Sequence, residues 1–426
     1  MGGGVLGAGP FTCRRGSLGR LLARPGRSRS GRPANRYRRR PLRRSGALGL
    51  GDVAVSRPSW VEIDLGAVAH NVRQLAAHAS DAKLCAVVKA DGYGHGAPAV
   101  AKTALDNGAA WLAVATVEEG VQLREEGITA PVLLLSEPPR DDLDAVANAD
   151  LTPTLYTVPA VDALAQVVHR RGEGGMEVHL KVDTGMHRVG AHPKALPELA
   201  RRVSGRPPLR LGGIWSHFAV ADTDPDFTRR QIEIFDRAVR LAKAALPAGS
   251  PPVLRHLANT PGALFHPDSH LDMVRTGLGI YGLYPHPAAR PLIDLRPAMK
   301  IVSHVSHVLR HPQGARPSYG RVRPLPASSK VATLPLGYAD GIPRGISEGG
   351  EVLIGGRRFP LAGRVTMDQM VVDVGDQAVE VGDEAVLVGA VGSESISLDD
   401  WAELSDTINY EVVSRIGPRL PRRHVS

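Results

Sequence analysis

The chain has 426 residues, enough for two domains, and nothing in it approaches the roughly 18 consecutive apolar residues of a transmembrane helix. Its two cysteines, Cys13 and Cys85, form neither a disulfide framework nor a metal-ligand spacing, so we expect a protein of the reducing cytoplasm. The net charge of +9 is unevenly distributed. Residues 1–57 hold 14 arginines, no lysine and one acid, so they carry +13 and the remainder carries −4.

Residues 1–57 are rich in Arg, Gly, Pro and Ser and lack hydrophobic periodicity. Such a segment buries too little apolar surface to order itself, so we predict a disordered Arg-rich extension. Twin arginines occur at 14–15 and 43–44, but charged residues interrupt the apolar stretches that follow, which argues against a secretion signal. Base-reading aromatic residues do not accompany the arginines, so no specific nucleic-acid binding is predicted.

From residue 58 onward the pattern alternates between strands and helices. Residues 58–64 read as a short strand, and Asp64 caps a helix over 65–78 with apolar residues at helical spacing. Eight further strands are predicted at 84–89, 111–116, 132–136, 151–156, 177–183, 211–217, 253–258 and 272–277. Helical patterns between them include 98–107, 117–127, 158–171, 196–203 and 226–245.

This alternation predicts an α/β fold, a (β/α)8 TIM-type barrel over residues 58–296. A doubly wound sheet is the alternative, but the glycines that follow residue 89 have the wrong spacing for a dinucleotide-binding turn.

After residue 296 the strands become short and β-branched, and Gly, Pro and Asp turns separate them. Strands are predicted at 300–309, 329–334, 351–354, 358–361, 371–374 and 384–388. A helix at 397–405, capped by Ser397, precedes a last segment at 409–416. Residues 297–426 are therefore predicted to form a mostly-β C-terminal domain. His304 and His307 would point to opposite sides of a strand, so no metal site is predicted.

Unusual polar residues stand where the barrel strands end. The apolar strand at 84–88 runs into Lys89 and a glycine-rich turn, and the C-terminal ends of barrel strands are where this fold places its chemistry. Tyr93 follows in the same turn, and the fifth to eighth predicted strands carry or precede further polar residues, so we expect one shared site. These residues are Tyr93, Lys181, Arg188, His217, Asn259, Thr260 and Arg275.

A phosphate site is indicated at the seventh and eighth strands. Thr260 followed by Pro261 predicts a helix start with Thr260 as N-cap, and a helix N-terminus suits a phosphate. Gly277 would let the neighbouring backbone approach closely. A phosphate site facing Lys89 points to pyridoxal phosphate attached covalently to that lysine.

Several motifs make the resemblance explicit. They are AVVKADGYGHG at 86–96, KVDTGM at 181–186, HLANT at 256–260, MVRTG at 273–277, SYG at 318–320, LGYADG at 336–341, MDQ at 367–369 and YEV at 410–412. In these motifs the chain resembles the alanine racemases, pyridoxal-phosphate enzymes of the barrel type known as fold type III. The resemblance covers residues 60–419.

The resemblance implies two proton-transferring residues, Lys89 on one face of the substrate and Tyr319 on the other. Tyr319 and Met367 would come from the partner subunit of a homodimer. Because free tyrosine has a pKa near 10, a cationic group must lower it, and His217, linked to Arg275, is the candidate. Arg275 would face the pyridine nitrogen of the cofactor. Because arginine does not readily give up a proton, that nitrogen stays unprotonated and the ring becomes a poor electron sink. The related decarboxylases use an acid there.

Further roles follow from the same resemblance. Arg188 would clamp the substrate carboxylate, which also lies near the backbone amide of Met367. Lys181 would be carbamylated and hold the arginine. Asp368 is a supporting residue and Arg344 lines the substrate entrance. The residues expected to contact the cofactor are Lys89, Tyr93, His217, Asn259, Thr260, Arg275, Gly277, Leu278 and Tyr410.

Two positions depart from the family pattern. His187 stands where the family commonly has glycine, and Thr366 where cysteine is frequent. The first could alter the loop that carries Arg188.

The implied activity is interconversion of L-alanine and D-alanine, which supplies D-alanine for peptidoglycan. One alternative is a serine-preferring or broader racemase of the same fold. From a different class, a non-catalytic pyridoxal-phosphate-binding homeostasis protein is also considered, although such proteins resemble the barrel without a β domain.

Overall fold

The computed structural model describes residues 57–172 and 174–425. The predicted Arg-rich extension therefore lies, up to residue 56, outside the described residues. Within the described ranges, no helix combines the length and the apolar character needed to cross a membrane.

The described chain begins with β1 (Ser59–Asp64) and α1 (Leu65–His78). The Asp64 carboxylate accepts a hydrogen bond from the Ala67 amide at 2.8 Å, so the predicted cap is confirmed.

Within the described residues, eight parallel strands follow, as predicted. They are β2 (Lys83–Val87), β3 (Ala109–Val114), β4 (Val132–Leu134), β5 (Thr154–Leu155), β6 (Met176–Lys181), β7 (Leu209–Trp215), β8 (Leu254–His256) and β9 (Met273–Thr276). They pair in the orders β4-β3-β2-β9 and β5-β6-β7-β8. A parallel bridge between Leu133 and Thr152 joins the two sets on one side. The Arg275 amide, donating to the Ala258 carbonyl at 2.9 Å, joins them on the other, so the barrel is closed.

Each strand ends one or two residues before its predicted end. β2 ends at Val87 rather than at Lys89, and β7 ends at Trp215 rather than at His217. The polar residues at these positions leave the sheet and line the barrel mouth.

Helical segments separate the strands. They are α2 (Lys89–Gly94), α3 (Ala97–Asp106), α4 (Val117–Glu125), α5 (Leu143–Asn148), α6 (Val158–Arg171), α7 (Leu196–Ser204), α8 (Pro225–Ala244) and α9 (Thr260–Phe265). The prediction did not include α5, whose six residues are too few to establish a helical period.

The C-terminal region is mostly β, as predicted. Its strands are β10 (Met299–His304), β11 (His307–His311), β12 (Ser329–Leu334), β13 (Glu351–Ile354), β14 (Arg357–Pro360), β15 (Met370–Gly375), β16 (Glu384–Val391), β17 (Glu394–Ile396) and β18 (Arg422–Val425). Two helices, α10 (Leu398–Leu404) and α11 (Asn409–Arg415), lie between β17 and β18. The segment predicted as one strand at 300–309 divides into β10 and β11, and β17 and β18 were not predicted.

The first and last described strands meet in this region. One sheet has the order β14-β13-β16-β10-β1-β18, and β1 pairs antiparallel with β10 and parallel with β18. A strand from the segment predicted as barrel therefore belongs to the sheet of the β region. The boundary between residues 296 and 297 stays a prediction.

The segment after Lys89 is wound left-handed. Ala90, Asp91, Gly92 and Tyr93 have φ values of 53°, 51°, 61° and 53°. A left-handed turn costs roughly 1–2 kcal/mol for each residue with a side chain. Glu119 offsets this cost by accepting from the Ala90 amide at 2.6 Å, and Asp91 accepts from the amide that begins α3 at 2.8 Å.

Arg422 ties the same segment to the end of the chain. Its guanidinium donates to the Gly94 carbonyl at 2.9 Å and to the carbonyls of Gly417, Leu420 and Ile416 at 2.5, 2.8 and 2.6 Å. One side chain therefore connects the turn that follows Lys89 with the segment between α11 and β18.

Replacing Arg422 by alanine should lower the free energy of unfolding by about 2 kcal/mol, because four carbonyl groups lose a charged donor. Urea-induced unfolding of the purified protein measures this change. Arg415→Ala, which removes an exposed i,i+4 ion pair with Glu411, is the control and should cost less than about 0.5 kcal/mol. Equal costs for the two variants would contradict the assigned role of Arg422.

Candidate active site

A cavity of about 420 Å³ opens at the C-terminal ends of the barrel strands. It brings together eleven of the residues predicted from the sequence: Lys89, Tyr93, Lys181, Arg188, His217, Asn259, Thr260, Arg275, Gly277, Leu278 and Tyr410. They come from β6, β9, α2, α9, α11 and the segments that follow β6, β7, β8 and β9, so one cavity collects residues more than 300 positions apart.

Positive charge dominates this cavity. Lys89, Lys181, Arg188 and Arg275 all line it. Desolvation, followed by repulsion from Arg188, lowers the pKa of Lys89, whereas Glu119 acts in the opposite direction. A lysine with a lowered pKa has more neutral amine available to attack a carbonyl group. The cavity is therefore suited to binding anions and to amine chemistry at Lys89.

The end of the cavity that was predicted to bind phosphate, at Thr260 and Gly277, differs from the prediction in one detail. Asn259, and not Thr260, is the N-cap of α9: its side-chain oxygen accepts from the Gly262 amide at 3.0 Å. The Thr260 hydroxyl instead accepts from the Gly277 amide at 3.1 Å, which joins the loops after β8 and β9. The prediction of Thr260 as N-cap was wrong because both residues can cap and Asn259 stands one position closer to the strand.

Gly277 makes room for a tyrosine. A Cβ atom there would lie 2.5 Å from the Tyr93 hydroxyl oxygen, closer than any real side chain tolerates. The Tyr93 ring lies 4.8 Å from that of Tyr281, whose hydroxyl donates to the Val87 carbonyl at 3.0 Å. Burial raises the pKa of Tyr93 to about 12, so its hydroxyl remains a hydrogen-bond donor at neutral pH.

Arg275 is almost completely buried, with 2% of its surface exposed. It donates to the carbonyl of Ser216 at 2.7 Å and of Leu257 at 3.2 Å, and to Nδ1 of His256 at 3.0 Å. Its guanidinium carbon also lies 4.5 Å from the Trp215 ring centroid. Burial lowers the pKa of Arg275 to about 10, which still leaves it charged at neutral pH.

His217 is a neutral imidazole in this environment. Desolvation, together with the neighbouring positive charges led by Arg275, holds the pKa of His217 well below its ordinary value. Arg275 has donors alone, so Nδ1 of His217, 3.4 Å from its guanidinium, accepts. The proton of the neutral ring then sits on Nε2. The prediction made His217 the cationic group, whereas in the structure the imidazole is neutral and the neighbouring positive charge is on Arg275.

Lys181 lies over the same tryptophan. Its ammonium nitrogen is 4.1 Å from the Trp215 ring centroid and 3.5 Å from the Leu135 carbonyl oxygen. Burial, with repulsion from Arg275, lowers the pKa of Lys181 to about 7. A substantial fraction of this amine is therefore neutral at neutral pH, as reaction with carbon dioxide requires.

The loop that carries Arg188 explains the departure at position 187. His187 has a φ of 54°, in the left-handed region that glycine adopts without strain. The Asp183 carboxylate compensates, because it accepts from the His187 amide and contacts its ring nitrogen, both at 3.1 Å. The loop thus keeps a glycine-type conformation although it has a side chain there.

Four predicted residues lie outside the cavity of this single chain. Tyr319 and Met367 are 74% and 53% exposed. Asp368 forms an ion pair with Arg419 at 2.6 Å. Arg344 lines a separate cavity against α11. At the second departure from the family pattern, the Thr366 hydroxyl closes the turn around Met367 by donating to the Gln369 carbonyl at 2.7 Å.

Two residues of the site received no role from the sequence. Trp215 lies beneath Lys181 and Arg275, and its position two residues before His217 at a strand end was the available signal. His256 contacts Arg275 from below, and the signal was its place in the HLANT segment, two residues before the end of the predicted strand.

Two family models match most of the chain. The family models described as alanine racemase, N-terminal domain and alanine racemase, C-terminal domain match residues 63–285 and 298–424. An alanine racemase of Symbiobacterium thermophilum is 43% identical over 373 residues, which cover 87% of this chain and 98% of that protein.

Two solved structures are similar over most of the chain. Alanine racemase from Streptomyces coelicolor A3(2) has a TM-score of 0.82 at 37% identity, covering 88% of this chain and 100% of the other. Alanine racemase from Bacillus anthracis, solved with bound L-Ala-P, has a TM-score of 0.80 at 35% identity, covering 87% of this chain and 95% of the other. With both family models matched and this identity over nearly its whole folded length, the chain belongs to the alanine racemase family.

Proposed function

We propose that this protein is an alanine racemase that uses pyridoxal phosphate bound to Lys89 and interconverts L-alanine and D-alanine. The observation that carries the proposal is the barrel-mouth cavity, where a lysine with a lowered pKa faces a helix N-terminus and a buried arginine. Family membership supports the same reaction. In this proposal the product D-alanine supplies cell-wall peptidoglycan, and the protein acts in the cytoplasm.

The residues present fit this cofactor. Thr260 and the N-terminus of α9 would hold the phosphate together with the backbone at Gly277 and Leu278, and helix N-termini attract phosphate. Tyr93 and Tyr410 would add hydroxyl donors from the barrel and from α11, while Asn259 keeps α9 capped in position. When bound, pyridoxal phosphate withdraws electrons from the substrate Cα and so acidifies the proton attached to it.

Arg275 would face the ring nitrogen of the cofactor. Its donors are held by two carbonyl groups and an imidazole, and it remains charged at neutral pH. It therefore donates a hydrogen bond without transferring a proton. This limits electron withdrawal by the ring, which favours simple removal and return of the α-proton over more extensive chemistry.

Arg188 would bind the substrate carboxylate through its paired donors. Lys181, once carbamylated, would become an anion that orients Arg188 and reduces the repulsion among the cavity cations. A second copy of the chain would contribute the backbone amide of Met367, with Asp368 and Arg344 near the entrance. The exposure of Met367 and Tyr319 supports this homodimer.

Racemisation needs a proton-transferring group on each face of the substrate. Lys89 occupies one face, and Tyr319 of the second copy would occupy the other. The Nε2 proton of the neutral His217 points away from Arg275 and can be donated to the phenol oxygen. That hydrogen bond, with the Arg275 charge behind it, would stabilise negative charge on the phenol oxygen.

The proposed function is tested by incubating purified protein and pyridoxal phosphate with L-alanine, L-serine and other L-amino acids, then resolving products by chiral chromatography. We expect D-alanine as the main product. Lys89→Ala should reduce its formation more than about a thousandfold, whereas Lys102→Ala, a change at an exposed lysine, should not. D-serine in excess would favour the serine-preferring alternative, and cofactor binding without turnover would favour the homeostasis protein.

Tyr319→Phe should impair exchange of the α-proton with solvent deuterium far more for one enantiomer than for the other, because Lys89 still serves its own face. Proton NMR in D₂O, started separately from L-alanine and D-alanine, measures both rates. Tyr156→Phe, at a half-buried barrel tyrosine outside the cavity, is the control. A mild loss that is equal for both enantiomers would refute the two-base scheme.

Carbamylation of Lys181 should appear in ¹³C NMR of protein equilibrated with ¹³C-bicarbonate. Because burial lowers the pKa of this amine to about 7, the neutral form that reacts is abundant above that pH and is lost below it. The carbamate signal should therefore fall as the pH decreases through 7. It should be absent in Lys181→Ala and retained in Lys102→Ala; a signal unaffected by Lys181→Ala would contradict the assignment.

A further inference from the structure

A chain of polar side chains continues beneath Arg275 into the barrel interior. Among the residues that the structure describes, no carboxylate lies within ion-pair distance of this buried guanidinium. Burying an isolated charge is costly, so a more distant negative charge would stabilise the Arg275 guanidinium.

Two imidazoles and one carboxylate follow in line. Nδ1 of His256 lies 3.0 Å from the Arg275 guanidinium, and its Nε2 lies 3.0 Å from Nδ1 of His179. Nε2 of His179 is in turn 3.4 Å from the Glu177 carboxylate, a contact within ion-pair distance that lacks hydrogen-bond geometry. Both histidines are fully buried, whereas the Glu177 side chain is 37% exposed at the opposite end of the barrel.

Arg275 at one end and Glu177 at the other allow only one direction of hydrogen-bond donation along these side chains. Arginine has donors alone, so Nδ1 of His256 must accept, and the proton of its neutral ring is on Nε2. That proton is donated to Nδ1 of His179, whose own proton is then on Nε2 and faces Glu177. A carboxylate is an acceptor, so Glu177 also favours a proton on Nε2 of His179. Both ends therefore favour the same tautomer of each histidine.

Strand β7 leaves space for these two side chains. A Cβ atom at Gly213 would lie 2.6 Å from the His179 ring, and one at Gly212 would lie 2.2 Å from the Glu177 carboxyl carbon. The register between β6 and β7 also shifts just before His179, which is a β-bulge with Gly212 as the additional residue. The backbone of β7 therefore leaves room for the side chains of His179 and Glu177.

We propose that Glu177 is the remote counter-carboxylate of Arg275, connected to it through His179 and His256, and is thus a positioning residue for the reaction. This inference rests on the function proposed above. The charge of the carboxylate orients the His179 ring, and the hydrogen bonds from His256 to His179 and from Arg275 to His256 hold the guanidinium where it would meet the cofactor. Glu177 also lines a second cavity of about 400 Å³, together with Lys83 and Arg210, at the amino-terminal ends of the strands.

The hydrogen-bond direction is tested without the cofactor. Nitrogen-15 NMR of cofactor-free protein labelled on its histidine rings reports which ring nitrogen carries the proton, and His179→Gln and His256→Gln assign the two signals. We expect both rings to be protonated on Nε2. Glu177→Gln should shift the Nε2 resonance of His179 and, less strongly, that of His256. A proton on Nδ1 of either ring, or no response at His256, would overturn the proposal.

The control for that experiment is Glu125→Gln, the same carboxyl-to-amide change at an exposed residue of α4. It should shift neither histidine signal. A shift of similar size in this control would mean that the response to Glu177→Gln is a general charge effect, and the proposal would fail.

Kinetics then tests the positioning role. Glu177→Gln should lower kcat for alanine about 5-fold and leave KM within about 2-fold, because Glu177 does not touch the substrate. In a His179→Gln background the same substitution should add no further loss, since the connection is already broken. If the losses in kcat of the two single variants multiply in the double variant, Glu177 does not act through His179 and the proposal is rejected. Absence of racemisation in the unsubstituted protein would reject the proposed function, while the NMR result would still decide the hydrogen-bond chain.

Discussion

The mutual repulsion of Lys89, Lys181, Arg188 and Arg275 is the constraint around which the barrel mouth is organised. Positive charges in one partly desolvated cavity repel each other strongly, since the surrounding protein screens them less than water does. Neutral acceptors and an aromatic ring stabilise these cations. Two carbonyl groups and an imidazole accept hydrogen bonds from Arg275, and the Trp215 ring lies beneath both Arg275 and Lys181. These neutral partners stabilise the cations without neutralising them, so the cavity retains its attraction for anions.

A second constraint is the left-handed segment after Lys89. Four consecutive residues in an unfavourable backbone region persist because separate parts of the chain hold them. Glu119 on α4 and Asp91 supply acceptors from within the barrel, and Arg422 supplies donors from the C-terminal region. The position of Lys89 thus depends on both parts of the fold. A barrel without the β region would lack the Arg422 contact.

The sequence predicted the eight barrel strands and placed most site residues at their ends, because an uninterrupted apolar run followed by a polar residue is a strong local pattern. It failed where two local solutions were equally good, as with Asn259 and Thr260 at the start of α9. It also could not show that β1 joins β18, since pairing across more than 350 residues leaves no local periodicity. The roles of Trp215 and His256 depend on which side chains meet inside the barrel, and strand spacing alone does not specify that.

The pairing of β1 with β18 has a consequence for the synthesis of the protein. Ribosomes make proteins from the N-terminus, so the edge of β1 stays open until residues 422–425 have left the exit tunnel. Arg422, which fastens the turn after Lys89, arrives at the same moment. A prematurely terminated chain would expose an unpaired strand edge and carry a loosely held lysine. The turn that carries Lys89 is therefore fixed only after the β18 segment has been made, and chains terminated before that segment are left vulnerable to proteolysis.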